Sequence, residues 1–279
     1  MHDDRMQVWR LNSIHEPEAP AAASLRRLPA GRRTPPMTAT LLAFDTATEH
    51  LSIALASGGG VFAHEGVGGA QASATLIPAI LALLARAGVG LRDLDAIAFG
   101  RGPGAFTGLR TACSVAQGLA FGAAKPVLPI DTLLAVAEDA RGDEDRPQRV
   151  WVAMDARMNE VYAAQYAWAA GRWTVLDAPM LIGPDALDAR WQADAPDHVA
   201  GNALTAFAGR AWSTSGARLS PAALPRARAM LPLAQALWDD DGAVDAAAAL
   251  PLYLRDKVAQ TTVERAAVRA AKDALEAAR

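Results

Sequence analysis

The stretch Thr111–Ala124 carries no charged residue, and few folds can accommodate such a segment. Its small side chains fall into two rows at helical spacing, Ala112, Ala116 and Ala120 in one and Ser114, Gly118 and Gly122 in the other. A helix that is polar nowhere has no solvent face and needs cover on every side. Gly118 and Gly122 each cost a helix about 1 kcal/mol relative to Ala, so a packing reason is expected for both. Either the helix is central to one larger core, or one row faces its own sheet and the other admits the backbone of a second chain. Helices in an α/β unit of this size usually keep one face wet, which favours an interface between chains. The helix expected over Gln71–Ala87 is its natural neighbour. Leu76, Ile77, Ile80, Leu81, Leu84 and Ala87 recur there at helical spacing, and Arg86 is its one charged residue.

These two segments sit in a strand–helix alternation. Apolar runs at Thr40–Phe44, Leu51–Ala56 and Val61–Glu65 read as three meandering strands, with a turn at Gly58-Gly59-Gly60. Gly88 and Gly90 close the first helix, and Asp95–Phe99 is a fourth strand. A Gly-rich loop then leads into a helix over Gly108–Ala123, which Thr107 can cap. Pro126–Ile130 is a fifth strand, and Asp131 or Thr132 caps a helix over Leu133–Ala140. The pattern restarts with strands at Val150–Met154 and Val161–Ala167. Leu42-Ala43-Phe44-Asp45 and Val152-Ala153-Met154-Asp155 are apolar strands that both end in Asp, 110 positions apart. In duplicated domains that frame a cleft, such Asp side chains can hold a metal–phosphate group. An Asp at the end of a strand also starts a turn through its own side chain, and both readings remain open.

Composition narrows the chemistry. With 27 Lys+Arg against 30 Asp+Glu the net charge is −3, which excludes a polycationic nucleic-acid coat. Cys113 is the one cysteine, which excludes an internal disulfide framework and a Cys-rich zinc site, and a thiol inside an apolar helix is packed rather than reactive. The histidines are His2, His15, His50, His64 and His198, none paired at the spacing of a helical metal site. The Gly-rich loop lacks the Lys-Ser/Thr of a P-loop, and no G-x-S-x-G elbow is present. Uncharged stretches are broken by glycine and fall short of about 20 strongly apolar residues, so no membrane span and a cytoplasmic protein are expected.

Four segments resemble the TsaB family, formerly called YeaZ. They are Leu42-Ala43-Phe44-Asp45-Thr46-Ala47-Thr48-Glu49, Gly100-Arg101-Gly102-Pro103-Gly104-Ala105-Phe106-Thr107-Gly108-Leu109-Arg110, Met154-Asp155-Ala156-Arg157-Met158-Asn159-Glu160-Val161-Tyr162 and Pro251-Leu252-Tyr253-Leu254-Arg255. The resemblance implies an actin-like (ASKHA) α/β fold of two ribonuclease-H-like subdomains, with mixed sheets flanked by helices, over residues 37–148 and 149–258. Residues 1–36 are then a disordered extension or lie upstream of the natural start at Met37, and residues 259–279 form a helix or tail. It also implies a part in making N6-threonylcarbamoyladenosine beside the tRNA anticodon. There TsaC makes threonylcarbamoyl-adenylate, TsaD, a paralogue of this chain, transfers the group, TsaB is its dimerisation partner and the ATPase TsaE joins the pair.

The family interface is made by the two low-charge helices. Its candidate residues here are Gln71, Thr75, Leu76, Ile80, Phe106, Leu109, Ala112, Cys113, Ala116 and Ala120. A homodimer is expected when the partner is absent, tRNA is met only indirectly, and ATP enters only in the complex. Asp45, Thr46 and Asp155 are the positions of a vestigial nucleotide site, with no cofactor held strongly and no metal. Gly68–Thr75 lacks the histidines by which TsaD paralogues hold a metal, and Asp45-Thr46-Ala47-Thr48 lacks the glycine of the first phosphate loop in actin-like ATPases. Both departures favour a scaffold over a catalyst. The competing expectation is an ATPase or carbamoyl/acyl transferase built on the Asp45 and Asp155 turns, with a peptidase a distant third.

Overall fold

Strand β1 (Leu41–Asp45) is buried along its whole length because both of its faces are covered: Leu42 and Phe44 enter one core, Leu41 and Ala43 another. The structure, a computed structural model, describes residues 38–255, so the expectations for residues 1–36 and 259–279 lie outside the described residues. From β1 the chain returns antiparallel through β2 (His50–Ser57) and β3 (Gly60–Val67), then enters α1 (Ala72–Ala87). β4 (Ala96–Gly102) pairs parallel with β1, with Phe44 opposite Phe99, and α2 (Phe106–Ala123) carries the chain to β5 (Val127–Asp131), parallel to β4. The sheet order is β3-β2-β1-β4-β5.

After α3 (Thr132–Arg141) the same unit is built again. β6 (Gln148–Asp155), β7 (Val161–Ala169) and β8 (Arg172–Ile182) form an antiparallel meander. α4 (Pro184–Ala193) leads to β9 (His198–Ala200), which is parallel to β6, and α5 (Ala203–Ala206) to β10 (Arg218–Ser220). The order β10-β9-β6-β7-β8 repeats that of the first sheet, and the last residues of the matching strands β1 and β6 are Asp45 and Asp155. Two mixed five-stranded sheets of one topology, each flanked by helices, make the expected actin-like α/β fold.

The halves are interlocked. α6 (Ala227–Asp239) follows the second sheet in sequence, yet Ala227, Met230, Leu231 and Ala234 cover the Leu41–Ala43 face of the first. α3 belongs to the first stretch, yet Leu133, Val136, Ala137 and Ala140 pack on Val150, Val152 and Tyr166 of the second sheet. A boundary after residue 148 therefore separates the sheets but not the layers that bury them.

α1 and α2 lie side by side on the Leu42–Phe44 face. Leu76, Ile80, Leu83 and Leu84 of α1 and Ala112, Cys113, Ala116 and Ala120 of α2 form the wall of that core. The helix over Gly69–Ala87 is long and apolar enough to cross a membrane by length and composition alone, and its apolar residues serve in part as core. Gly88, at φ 68°, closes α1 as expected, with Val89 N donating to Leu84 O. Asp131 stands at the N-cap of α3 as expected but makes no side-chain cap bond, and the expected cap of α2 by Thr107 is not found. α2 begins at Phe106 with Ala105 at its cap, so Thr107 lies inside the helix. At α3, Asp131 pairs with Arg101 and the Thr132 hydroxyl donates to Asp45.

Candidate interaction face and the cleft between the sheets

The four signature segments converge where β1, β4 and β6 end. Asp45 is 1% exposed; its Oδ1 accepts from Ala47 N at 2.7 Å and its Oδ2 from Thr132 Oγ1 at 2.9 Å. Thr132 Oγ1 in turn accepts from Gly102 N at 3.1 Å, which ties the Gly-rich loop to the same carboxylate. Gly100 permits this: a Cβ there would lie 1.7 Å from Asp45 Oδ2. Gly108 does the same for the start of α2, where a Cβ would lie 1.9 Å from Thr46 O while Thr46 Oγ1 donates to Gly108 O at 2.8 Å. Burial pushes the Asp45 carboxyl up to about 6, against the opposing pull of its hydrogen bonds from Ala47 and Thr132.

Asp155 makes the matching turn, its Oδ1 accepting from Arg157 N at 2.8 Å, and its own N–H donates to Asn202 Oδ1 at 2.8 Å. Arg157 pairs with Asp155 at 3.4 Å and reaches Glu49 of the first half at 3.6 Å. The residues from Arg157 to Asn159 are all left-handed, with φ between 56° and 61°. Pro251–Arg255 fastens the assembly. Leu252 N donates to Arg101 O at 2.7 Å, Tyr253 stacks on Phe106 with centroids 5.4 Å apart, and Arg255 pairs with Glu160 at 2.6 Å.

The cavity between Thr48, Thr132, Asp155 and Asn202 measures about 110 Å³. It is well below the roughly 300–1,000 Å³ of ordinary ligand pockets. Asp45 and Thr46 are turned away from it into the protein. Both Asp45 oxygens accept a hydrogen bond inside the protein, and Asp155 pairs with Arg157, so that carboxylate at the cleft already has a cation beside it.

The two helices carry the other candidate residues, and seven of the ten interface positions are buried within this chain. Leu76, Ile80, Leu109, Ala112, Cys113, Ala116 and Ala120 are all between 0% and 6% exposed within this chain and offer a partner no surface. Gln71 and Thr75 are exposed, and Phe106 is half-buried beneath Arg110, whose guanidinium lies 3.8 Å from the ring centre. The outer face is formed instead by residues the sequence reading did not assign to it. Ile77 and Leu81 of α1 are 41% and 47% exposed, and Phe121 of α2 is 86% exposed. Beside Phe121 lie Ser114, Gly118 and Gly122, all exposed, and a Cβ on either glycine would meet nothing within 4 Å. Among the described residues nothing supplies the packing reason expected for Gly118 and Gly122.

Elsewhere the chemistry is committed to structure. Burial raises the pKa of the Cys113 thiol, which donates to Ala249 O at 3.3 Å. His198 is buried between Gln148 and Ser220, and burial, with Arg218 nearby, pushes it down to about 4. Arg218 and Arg226 pair with Glu144 and Asp139. Among the described residues no three His, Cys, Asp or Glu side chains converge as a metal would require.

Comparison with known proteins agrees with this arrangement. A family model described as TsaD, tRNA N6-adenosine threonylcarbamoyltransferase, matches residues 68–218. The tRNA threonylcarbamoyladenosine biosynthesis protein TsaB of Escherichia coli K12 is 36% identical over 78% of this chain and 96% of its own length. Its Haemophilus influenzae counterpart is 37% identical over 78% and 94%. The solved structure of YeaZ from Pseudomonas aeruginosa, at 39% identity, superposes with a TM-score of 0.70 over 78% of this chain and all of that one. The signature segments meet at one place in a duplicated fold, and relatives match over nearly their full length: this chain belongs to the TsaB (YeaZ) family.

Proposed function

We propose that this chain is a non-catalytic subunit in tRNA threonylcarbamoyladenosine synthesis, which binds and stabilises a TsaD-type transferase through the outer faces of α1 and α2. The observation that carries the reading is the pair Gly118 and Gly122. Each weakens an isolated helix by about 1 kcal/mol, and among the described residues neither would give a Cβ a neighbour within 4 Å. Small residues flanked by Phe121, Ile77 and Leu81 are what a helix of a second protein needs for close approach. A TsaE-type ATPase then acts on the heterodimer, tRNA is met through the transferase, and the same face supports a homodimer when the paralogue is absent.

Co-expression with a TsaD-type paralogue and mass measurement of the purified species tests this. A heterodimer is expected, and Gly118→Glu and Phe121→Asp should abolish it while leaving the melting temperature of the isolated chain within a few degrees of the parent. Unchanged co-elution of both variants would sink the proposal. An ATPase or transferase activity of the chain alone draws no support from the small cleft. Calorimetry with Mg-ATP decides it, because micromolar binding lost in Asp155→Ala would establish that activity instead.

A further inference from the structure

A larger cavity, of about 370 Å³, opens between α3, α6 and the tip of the β7–β8 hairpin, and shares no lining residue with the cleft. Its volume falls within the roughly 300–1,000 Å³ of small-ligand sites. One wall is aromatic. The Trp168 and Trp173 rings lie 5.3 Å apart at 59°. Both are held in place: Trp168 Nε1 donates to Asp145 Oδ1 at 3.3 Å and Trp173 Nε1 to Glu138 Oε2 at 2.7 Å. The Arg141 guanidinium sits 4.1 Å from the centre of the Trp168 ring and bonds both oxygens of Glu138, so that buried carboxylate is matched from behind. Leu134 and Leu233 face these rings across the cavity from the two helices. A wall fixed in advance loses little entropy when a ligand settles on it.

The mouth carries more acidic groups than the described residues pair with cations. Asp239 ends α6 and Asp240 caps it, both at the negative end of the helix dipole, where acidic residues are unfavourable. Arg172, from the hairpin tip, closes on both oxygens of Asp240 at 2.7 and 2.8 Å, and Arg101 pairs with Asp131. Asp239 accepts a hydrogen bond from the Gln235 amide at 2.7 Å, and among the described residues no cation pairs with it. The lining thus combines a rigid indole pair, aliphatic side chains and one carboxylate that, among the described residues, has no direct ion pair, beside a helix C-terminus.

We propose that this cavity binds a small organic cation, an amine carried on an apolar or aromatic body. The apolar or aromatic body lies against the indoles and leucines, and the ammonium meets Asp239 at the helix C-terminus. The site stands apart from the dimerisation face, since neither α1 nor α2 lines it.

Phenethylamine and 3-phenylpropionate are probes of similar size and opposite charge. Their titration into the full chain is followed by the indole N–H resonances of Trp168 and Trp173. Phenethylamine is expected to shift both saturably, with half-saturation below about 1 mM, and 3-phenylpropionate to bind at least about tenfold more weakly. Asp239→Asn, at an exposed position, should weaken the amine by about threefold to tenfold and narrow the gap between the probes. Ala236→Trp, exposed on α6 at the cavity, should block both. No saturable shift with phenethylamine up to about 10 mM, equal binding of the anion, indifference to Asp239→Asn, or unchanged binding in Ala236→Trp would each overturn the proposal.

Discussion

Asp45 and His198 are both buried and pull stability in opposite directions with pH. The folded Asp45 carboxyl titrates near 6 rather than 3.8, so the native state binds more protons across that window. Its contribution to stability therefore falls as pH rises from about 4 to about 6. His198 titrates near 4 rather than 6.5, so the native state binds fewer protons and its contribution is lost as pH falls over that range. At 1.36 kcal/mol per pKa unit each amounts to about 3 kcal/mol, and they nearly cancel. Urea denaturation between about pH 4 and 6.5 should give a flat profile for these groups in the parent. It should climb with pH in Asp45→Asn and decline in His198→Asn; flat profiles in both variants would refute the assignment. The sequence shows each Asp starting a turn, because the bond to the backbone two residues on is local. It does not show Thr132, the other partner of Asp45, which stands 87 positions away and is brought in by the parallel pairing of β1 with β4 and of β4 with β5.

On α2, two rows of small residues differ by two positions, about 200° around the axis at 3.6 residues per turn. Periodicity separates the rows without saying which one faces the sheet. The structure assigns Ala112, Ala116 and Ala120 inward and Ser114, Gly118 and Gly122 outward. On α1, Ile77 and Leu81 follow the core residues Leu76 and Ile80 by one position, about 100° around the helix. They read as part of one apolar stripe until packing shows a second. Ala116→Glu is thus expected to unfold the chain rather than to report on a partner, since it places an unpaired charge in the core. Leu76→Ala should cost about 2–5 kcal/mol. Gly118→Ala and Gly122→Ala should each raise the stability of the isolated chain by about 0.5–1 kcal/mol, and the melting temperature by a few degrees. Loss of stability in both glycine variants would mean that these positions are packed within the chain after all.

Across the whole molecule, the exchange of α3 and α6 between the sheets makes the halves interdependent. A fragment of residues 37–148 lacks α6, so Leu41, Ala43, Ala54, Ala56, Ala96 and Ala98 would face water on one side of its sheet. It is expected to lack a cooperative melting transition, and the full chain to unfold in one calorimetric step. Cooperative melting of the fragment would contradict the interlocking. The duplication was legible because strands β1 and β6 share an apolar pattern ending in Asp. β9 and β10, three residues each, were not, being too short to carry a period. Sequence alone determined local matters: the strands and helices from β1 to β7, the turns between them, and that α1 and α2 carry one charged residue each. Those follow from side-chain spacing and backbone preference, which act over a few residues. Only the tertiary structure decided which row of α2 is core, that the Asp45 carboxylate is spent inside the protein, and that each sheet borrows a helix from the other half. Burial is settled by contacts between residues far apart in the chain, and no local pattern encodes which face of an apolar helix meets its sheet.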